Sequence, residues 1–398
     1  MAQHGLPDAA IWAVRRRLFA RPARDARSLS AARSGPIVVA GMFRTASGVG
    51  ESARSCSLAF TERAIAHRRV DLSAAFGQVD LDDPGDLDPM PNDARGTLIL
   101  HANPPETAPA LHHLRLYGAR RWRIVGCWVW ELSEAPASWR EARSLVSELW
   151  APSAFCRQAF HAVAPPRLFD APYRVVAPDG AMATGASAHD GKVAVLTLAD
   201  GRSSLERKNT VAAIRIFKDA VGDRNDARLI VKTRNLSEFP YAAQALRAAA
   251  ANDPRIEFID RSLSPAERWR MISDADILLS PHRAEGFGLT IAEAMATGRA
   301  VLATDWSGNV DFMPDNPACR IGYRLVPVSD AAGAYAGETA CLWAEPDERE
   351  AAEKLRWLIN DRDLRIAAGE EGRRRAAEKL NGDAIVSALR GASAQLAS

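Results

Sequence analysis

The stretch ADILLSPHRAEGFGLTIAEAMATGRAVLATD, Ala275 to Asp305, predicts a strand, a loop, a helix and a second strand. Its two outer runs, ADILLS and RAVLATD, have the apolar composition of buried strands in a parallel sheet. Between them, Gly286 and Gly288 mark a loop, the helix opens at Leu289, and Gly298 ends it. A helix that joins two buried strands is the repeating unit of an open α/β sheet.

The same alternation extends in both directions along the chain. A segment rich in Gly, Ala and Ser, Ala177 to Lys192, interrupts it and is typical of a linker. The predicted strands are Pro36–Gly41, Thr97–His101, Arg123–Trp130 and Leu149–Ala151 before this linker, and Val193–Ala199, Ala227–Thr233, Arg255–Asp260, Ala275–Ser280 and Arg299–Asp305 after it. The sequence therefore predicts two α/β domains with a ligand-binding cleft at the carboxyl ends of their strands.

Helical sequence closes the chain. It covers Glu350 to Asn360 and Leu364 to Leu396, with expected breaks near Gly369 and Gly382. An earlier helix starts at Ser264, whose pairing with Glu267 has the form of a capping box.

Length and composition are those of an ordinary globular protein. The chain has 398 residues, 47% hydrophobic and 25% charged, with a formal net charge of +2. We expect no nucleic-acid partner. Because no run of about 18 apolar residues occurs, we expect a cytoplasmic protein without a transmembrane span. The five cysteines lack metal-ligand spacing and favour neither a zinc site nor a disulfide framework.

Residues 1–33 form a basic arm with seven arginines and two aspartates. Apolar residues such as Trp12 and Leu18 are interspersed among them, a pattern that fits an amphipathic helix on an anionic membrane surface. A disordered arm, or one packed on the first domain, fits the sequence equally.

Two glutamates flank the loop and the helix start, Glu285 and Glu293. Gly286 and Gly288 would let a phosphate approach the N–H groups of the helix N-terminus. Glu293, one turn inside the helix, would accept hydrogen bonds from a ribose diol, and Glu285 would contact hydroxyls of the group that the phosphate carries. Alternatively, the acids merely favour a helix start and the glycines a tight turn.

Two cations, Arg207 and Lys208, follow the first strand of the second domain. At the mouth of a cleft they would neutralise a diphosphate leaving group, although such residues are more often ordinary surface cations.

These features together resemble the family 4 retaining glycosyltransferases of GT-B fold, whose mark is two glutamates separated by seven residues. The resemblance extends from about Ile37 to Leu380. Several of its segments resemble, in particular, a bacterial branch of the family that builds surface polysaccharides. It is carried by Ala284–Gly298, SGNVDFM (Ser307–Met313), ASGVGESARS (Ala46–Ser55), GCWVWELSEAPASW, ELWAPSAFC, DGRSSLERKN (Asp200–Asn209) and LWAEPD (Leu342–Asp347).

The resemblance implies an α/β protein with two Rossmann-like domains facing each other across a cleft. Residues 34–187 would form the acceptor-side domain and 188–377 the nucleotide-sugar domain, with a C-terminal helix over 378–398 crossing back to the first. The implied catalytic residues are Lys208, Glu285, Arg207 and His101. Implied donor-binding residues are Gly48, Gly50, Arg202, Gly286, Phe287, Gly288, Leu289, Thr290 and Glu293. Asn103 and Glu131 are candidates on the acceptor side, and the alignment leaves open whether His101 or Asn103 faces the transferred sugar.

The implied reaction is retaining transfer of a hexose from a nucleoside-diphosphate sugar to a saccharide or lipid-linked acceptor in surface polysaccharide synthesis. Mannose is slightly favoured over glucose. The family implies that the departing diphosphate helps to remove the acceptor proton, so no protein nucleophile is required. No cofactor or obligatory metal is expected, and the enzyme would be cytoplasmic, with peripheral contact at the inner membrane face through its basic arm.

Two other functions compete with this hypothesis. Gly48, Gly50 and Ala53 match the dinucleotide fingerprint G-x-G-x-x-A, and Asp71 follows at a suitable distance, as in an NAD-type oxidoreductase. However, residues 42–47 separate Gly48 from the end of the strand, which makes the loop too long. A nucleotide-sugar-binding protein that has lost catalysis is the third hypothesis, and the presence of both glutamates and Lys208 disfavours it.

Overall fold

The computed structural model describes residues 34–81, 85–117, 121–165, 167–180, 191–330, 333–338 and 340–391. They form two compact units, of which the first comprises residues 34–130, Glu134–Arg174 and 382–391, and the second Glu131–Ser133 and Val175–Asn381. The basic arm and most of the predicted linker, 181–190, lie outside the described residues. Our predictions for those two segments stay predictions.

The first unit contains a six-stranded parallel sheet in the order β2-β1-β3-β4-β5-β6. Alternate residues of β1 point to opposite faces, so Val38 and Ala40 join one hydrophobic core and Val39 joins the other. The strands are β1 Ile37–Gly41, β2 Arg68–Asp71, β3 Arg95–Leu100, β4 Arg121–Cys127, β5 Glu148–Ala151 and β6 Leu168–Asp170, and the helices between them include α1 Gly48–Thr61, α2 Pro104–His113 and α3 Ala154–Phe160.

The second unit contains a six-stranded parallel sheet in the order β12-β11-β10-β7-β8-β9 and an antiparallel hairpin of β13 and β14. The strands are β7 Val193–Leu198, β8 Ala227–Thr233, β9 Ile256–Asp260, β10 Ile277–Ser280, β11 Ala300–Thr304, β12 Arg320–Ile321, β13 Tyr323–Pro327 and β14 Leu342–Pro346. The helices are α4 Leu205–Lys208, α5 Thr210–Val221, α6 Pro240–Ala250, α7 Pro265–Asp274, α8 Leu289–Ala296, α9 Glu348–Asn360 and α10 Arg362–Lys379.

After Asn381 the chain returns to the first unit as α11, Asp383–Arg390, which packs against α1 and β6. Ile385 and Val386 of α11 enter the same core as Val39. The buried Arg123 of β4 donates to the carbonyls of Ala388 and Leu389, 2.9 and 2.6 Å away, and to Glu148 at 2.5 Å. A guanidinium at the last turn of a helix satisfies carbonyls that have no partner within it.

The structure confirms the predicted strands of both sheets, with ends shifted by a few residues. The capping box of α7 at Ser264 and Glu267 is also present. The strands that we did not predict are short or polar and mostly lie at sheet edges: β2, β6 and β12, and the β13–β14 hairpin. β2 is largely polar and β13 largely exposed, and β6 and β12 are only three and two residues long, so none of them has the apolar run by which buried strands are recognised.

The predicted helix break near Gly369 is wrong, because α10 runs without interruption through Gly369 and Gly372. Both glycines are buried where α10 packs on α8 and β11. A Cβ on Gly369 would lie 2.2 Å from the Gly298 carbonyl oxygen, so this glycine permits close contact between backbones. The second predicted break, at Gly382, is confirmed.

The boundary between the units lies at Arg174 and Val175, earlier than the 187/188 boundary that we drew through the linker, and the return to the first unit lies at Gly382. None of the helices among the described residues combines the length and apolarity needed to cross a bilayer.

Replacing Gly369 by alanine is expected to lower the free energy of unfolding by about 1–3 kcal/mol, because the new methyl group overlaps a backbone carbonyl. Gly372→Ala is the matched control in the same helix. There the nearest atom is Cγ of the flexible Met295 side chain, 3.3 Å away, and alanine is favoured over glycine in a helix by about 1 kcal/mol. Urea unfolding of both variants measures the difference, and equal midpoints would contradict this explanation of the uninterrupted helix.

Candidate donor-binding site

The second sheet changes its direction of progression between β7 and β10, because β8 and β9 follow on one side and β11 and β12 on the other. Ligands of open α/β sheets bind outside the carboxyl ends of strands at such a point. A small cavity lies there, beside Leu198 at the end of β7 and Ser280 at the end of β10. The remaining residues that line it are Lys208, Leu278, Leu279, Glu285, Gly288, Thr290 and Ile291.

Glu285 lines this cavity from the loop between β10 and α8, and 7% of its surface is exposed. Its carboxylate accepts a 2.5 Å hydrogen bond from the Lys208 ammonium and lies 3.1 Å from the Arg207 guanidinium. Its N–H donates to Ser307 Oγ at 2.8 Å, and its carbonyl accepts from the Gly308 N–H at 2.9 Å. The structure therefore brings both predicted cations to the first of the two predicted acids.

The two cations are carried by α4, a single turn bounded by Ser204 and Asn209, with φ of 62° and 55°. Positive φ is uncommon outside glycine and costs free energy that neighbouring contacts must offset. The Ser204 hydroxyl caps the turn by accepting from the Arg207 N–H at 3.1 Å. The buried Arg207 side chain also donates to the Ala284 carbonyl at 2.7 Å, whereas Lys208 is partly exposed. Lys208 is thus the more accessible cation.

Opposing effects set the pKa of Glu285. Burial raises the pKa, but the charges of Lys208 and Arg207 stabilise the carboxylate and bring the pKa down to about 2. Glu285 is therefore ionised at neutral pH. One carboxylate and two cations leave this cluster with a net positive charge, which suits an anionic ligand.

The N-terminus of α8 meets the same cavity through Gly288 and Thr290. Gly288 is the N-cap, with φ of 92°, and provides no side chain to cap the first turn. A Cβ on Gly308 would lie 2.3 Å from the Gly286 carbonyl oxygen, so the backbones of the loops after β10 and β11 are in direct contact at this point. N–H groups without intrahelical acceptors and the positive end of the helix dipole favour an anion at this position.

Glu293, the second predicted acid, lies inside α8 and is only 1% exposed. Arg268 of α7 approaches its carboxylate to 2.7 Å and supplies the counter-charge that a buried acid requires. We did not predict Arg268. The only sequence signal was an additional basic residue in an amphipathic helix.

His282 and Asn309 were also missed. The fully buried His282 ring lies 3.0 Å from Asn309 Oδ1 through Nε2, and 3.0 Å from the Ser280 carbonyl through Nδ1. Asn309 Nδ2 donates to the Thr304 carbonyl at 2.9 Å. These two side chains tie the loop after β10 to the loop after β11, and burial lowers the pKa of His282, which favours its neutral form.

In the first unit, His101 follows β3 and is 3% exposed, with Nδ1 2.6 Å from Ser52 Oγ. It lines a second small cavity with Ser52, Cys127, Trp128 and Trp150. Burial lowers the pKa of His101 to about 3. Its imidazole is therefore neutral and suited to hydrogen bonding rather than to a cationic role.

Asn103, the alternative to His101, is the N-cap residue of α2, and its Oδ1 accepts a 2.9 Å hydrogen bond from the Val129 N–H. That contact holds the loop after β4. Of the two candidates, His101 is the one that lines the cavity.

Gly48 and Gly50 stand at the start of α1. The Gly50 N–H donates to Ser47 Oγ at 3.2 Å, and a Cβ there would lie 2.4 Å from the Thr45 carbonyl oxygen. The glycine at 50 therefore has a local packing role, while a Cβ on Gly48 would meet nothing nearby. Because β1 ends at Gly41, the loop is as long as the sequence suggested, and the first glycine of a dinucleotide fingerprint is displaced.

The remaining predicted donor residues are placed as follows. Arg202 is 59% exposed and forms two hydrogen bonds with Glu238, 3.0 and 2.6 Å long, and it does not line the cavity. Phe287 is buried against Phe312, and Leu289 begins α8. Among the described residues, no three His, Cys, Asp or Glu side chains are grouped to hold a metal ion.

Residues 196–361 match the family model of glycosyl transferases group 1. Comparison of the sequence with curated proteins gives no match.

Several solved structures have similar folds. A glycosyltransferase from Rickettsia africae is 13% identical, with 90% of this chain and 97% of that chain covered and a TM-score of 0.60. HepE of Anabaena, solved with UDP and glucose, is 11% identical, with 89% and 98% covered and a TM-score of 0.57. A TarM variant of S. aureus, solved with fondaparinux, α-GlcNAc-glycerol and UDP, is 14% identical, with 76% of this chain covered and a TM-score of 0.56. Our chain covers 56% of that TarM chain.

The likeness to these structures, together with the two parallel sheets, shows that the chain has the GT-B fold. Within that fold, the part of the second unit that carries Lys208, Glu285 and Glu293 belongs to the segment that matches group 1 glycosyl transferases.

Proposed function

We propose that this protein is a retaining glycosyltransferase that moves a hexose from a nucleoside-diphosphate sugar to a saccharide or lipid-linked acceptor. The observation that carries the proposal is the cluster of Lys208, Arg207 and Glu285 beside the open N-terminus of α8. It lies at the switch point of a parallel sheet, where ligands of such sheets bind.

The diphosphate of the donor would lie against the first turn of α8, whose N–H groups and dipole attract it. Lys208, being partly exposed, would move from Glu285 to a phosphate oxygen, while the buried Arg207 keeps the local potential positive. Both cations then stabilise the negative charge that develops as the diphosphate leaves.

The two glutamates would hold the other parts of the donor. Glu285, ionised and oriented by its backbone contacts, would accept hydrogen bonds from hydroxyls of the transferred hexose. Glu293 would accept hydrogen bonds from the ribose diol, with Arg268 as its counter-charge. The donor would thus be fixed on both sides of its diphosphate, which favours catalysis by positioning.

The retaining course and the choice of hexose rest on the family resemblance. In the proposed step the bond from the anomeric carbon to the diphosphate oxygen breaks, and a bond to the acceptor oxygen forms on the same face of the sugar. The acceptor proton passes to the departing diphosphate. His101, which is neutral, would contact the transferred sugar through a hydrogen bond.

For the donor we propose a UDP- or GDP-hexose, with mannose slightly favoured. The ligands of HepE and TarM support a nucleotide-sugar donor and a saccharide-type acceptor for proteins of this fold. Synthesis of a bacterial surface polysaccharide at the cytoplasmic face of the membrane, with the basic arm as a peripheral contact, completes the proposal.

Replacing Lys208 by alanine, or Glu285 by glutamine, is expected to reduce kcat by about 10²–10³, because each change weakens charge stabilisation or hexose binding in the transition state. Arg202→Ala is the matched control. It removes an arginine that pairs with Glu238 outside the cavity, so kcat should stay within about twofold. Donor hydrolysis and transfer assays measure these effects, and an inactive Arg202→Ala with an active Lys208→Ala would refute the assignment.

A nucleoside diphosphate should raise the melting temperature, because it binds the native state only. At 100 times its Kd the stabilisation is about 2.7 kcal/mol. Thermal unfolding with UDP, GDP, ADP and NAD identifies the base, and stabilisation by NAD alone would favour the oxidoreductase hypothesis instead. Glu293→Ala should lose most of the shift.

Turnover should survive treatment with a metal chelator, since the predicted phosphate ligands are cations and N–H groups of the protein. Transfer is measured before and after chelation of purified enzyme. Loss of activity that returns on adding Mg²⁺ or Mn²⁺ would show that a metal is required.

A further inference from the structure

Between β13 and β14, the structure describes residues 328–330, 333–338, 340 and 341 of the hairpin loop. Its base is closed by a 3.0 Å hydrogen bond from the Val328 N–H to the Cys341 carbonyl. Two polar residues of this loop are buried, Asp330 at 5% exposure and Tyr335 at 4%. Hairpin loops normally lie at the surface, and a buried carboxylate or hydroxyl in one requires specific partners.

The partner of Asp330 is the start of the cationic turn. Asp330 Oδ1 accepts from the Ser204 hydroxyl at 3.1 Å, and Oδ2 accepts from the Tyr335 N–H at 3.1 Å. The same Ser204 hydroxyl accepts from the Arg207 N–H. A continuous path of hydrogen bonds therefore runs from the hairpin loop to the backbone of the residue that carries the buried guanidinium.

Ser204 itself shows why such a support is needed. Its φ of 62° costs free energy in a residue with a side chain, and such conformations persist only where neighbouring contacts fix them. The hydroxyl that binds Asp330 and caps α4 provides those contacts. Capping α4 does not by itself require a buried carboxylate beside the hydroxyl. We therefore attribute to Asp330 the separate role of supporting Ser204.

Tyr335 is linked to the same guanidinium through a second carboxylate. Its hydroxyl forms a hydrogen bond with Glu131, from the short stretch Glu131–Ser133 that packs with the second unit. The charges of Glu285 and Glu131 raise the pKa of Arg207, whereas burial raises the pKa of Tyr335 and keeps its hydroxyl neutral. Arg207 is thus paired with Glu285 on the side of the cavity, and its guanidinium is further stabilised by the charge of Glu131, the hydrogen-bond partner of Tyr335.

We propose that Asp330 and Tyr335 are positioning residues that set the place of Arg207 and Lys208 in the donor site. Asp330 acts through Ser204 and Tyr335 through Glu131, and neither residue touches the donor itself. The inference rests on the function proposed above, because the effect of the loop would be measured as a change in binding or departure of the donor diphosphate. It also gives Glu131 a role different from the acceptor contact suggested by the sequence.

Tyr335→Phe tests this inference, because it removes the hydroxyl and retains the ring. We expect kcat to fall about tenfold with the donor KM changed less than threefold, since a displaced guanidinium weakens binding of the transition state most. Tyr323→Phe, in β13 of the same hairpin, is the matched control and should leave kcat unchanged. An equal loss in both variants, or none in Tyr335→Phe, overturns the proposal.

A double-mutant cycle separates positioning from a general loss of stability. In an Arg207→Lys background, Tyr335→Phe should lower kcat by less than twofold, because the group that it positions is already altered. The full tenfold loss in that background would show that Tyr335 acts independently of Arg207. Asp330→Ala should behave as Tyr335→Phe does, and Asp330→Asn, which keeps one acceptor for Ser204, should recover part of the activity.

Binding of UDP and GDP by calorimetry distinguishes this inference from the proposed function. If the unaltered protein binds a nucleotide but transfers no sugar, the transferase proposal fails. The positioning role of the loop is then tested by nucleotide affinity alone. Asp330→Ala should raise the Kd of that nucleotide at least fivefold and Tyr323→Phe should not. An unchanged Kd in a folded Asp330→Ala would overturn the role of the loop, whatever the reaction.

Discussion

A buried carboxylate that contacts two cations is the interaction on which the candidate donor site depends. Glu285 joins the loop after β10 to the turn after β7, and it neutralises part of a charge that would otherwise be repulsive. Removing one member of such a cluster leaves the others desolvated and unpaired, which is far more costly than losing an exposed ion pair. The positions of Arg207 and Lys208 therefore depend on an acid from the other side of the switch point.

Backbone contact supplies the second constraint on the same site. The loops after β10 and β11 meet at Gly286 and Gly308, where a single methyl group would not fit, and His282 with Asn309 links them again. At its other end α8 approaches α10 through Gly298 and Gly369. The helix whose N-terminus faces the proposed diphosphate is thus fixed at both ends before any ligand arrives. Preorganisation of this kind lowers the free-energy cost of binding and of charge stabilisation.

The sequence was sufficient for the features that depend on local pattern. Buried parallel strands have continuous apolar runs, so the predicted strands of both sheets were found, and the helix that starts at Leu289 was placed correctly. The predicted break at Gly369 was wrong because a glycine in a helix marks a break in one context and a close helix contact in another, and only tertiary structure separates the two. The short edge strands were not predicted, because they lack an apolar run.

The residues of the candidate site likewise divide into those that local sequence pattern predicts and those whose role depends on contacts distant in sequence. Lys208, Glu285 and Glu293 were named from loop position, helix start and resemblance, and the structure places the first two in one cluster. Arg268, His282, Asp330 and Tyr335 were not named, because each acts through a contact with a residue distant in sequence. Arg202 shows the converse: the resemblance implied a donor-binding role for it, whereas its side chain pairs with Glu238.

The return of the chain to the first unit as α11 has a consequence for how the protein can be divided. A fragment ending at Arg174 would leave the hydrophobic pocket for Ile385 and Val386 open to water, and the guanidinium of Arg123 would lose two carbonyl acceptors. The second unit, apart from the three residues Glu131–Ser133, is one uninterrupted segment from Val175 to Asn381. We therefore expect the second unit to be the better candidate for expression on its own. The first unit needs α11, either joined to it by circular permutation or added as a separate peptide.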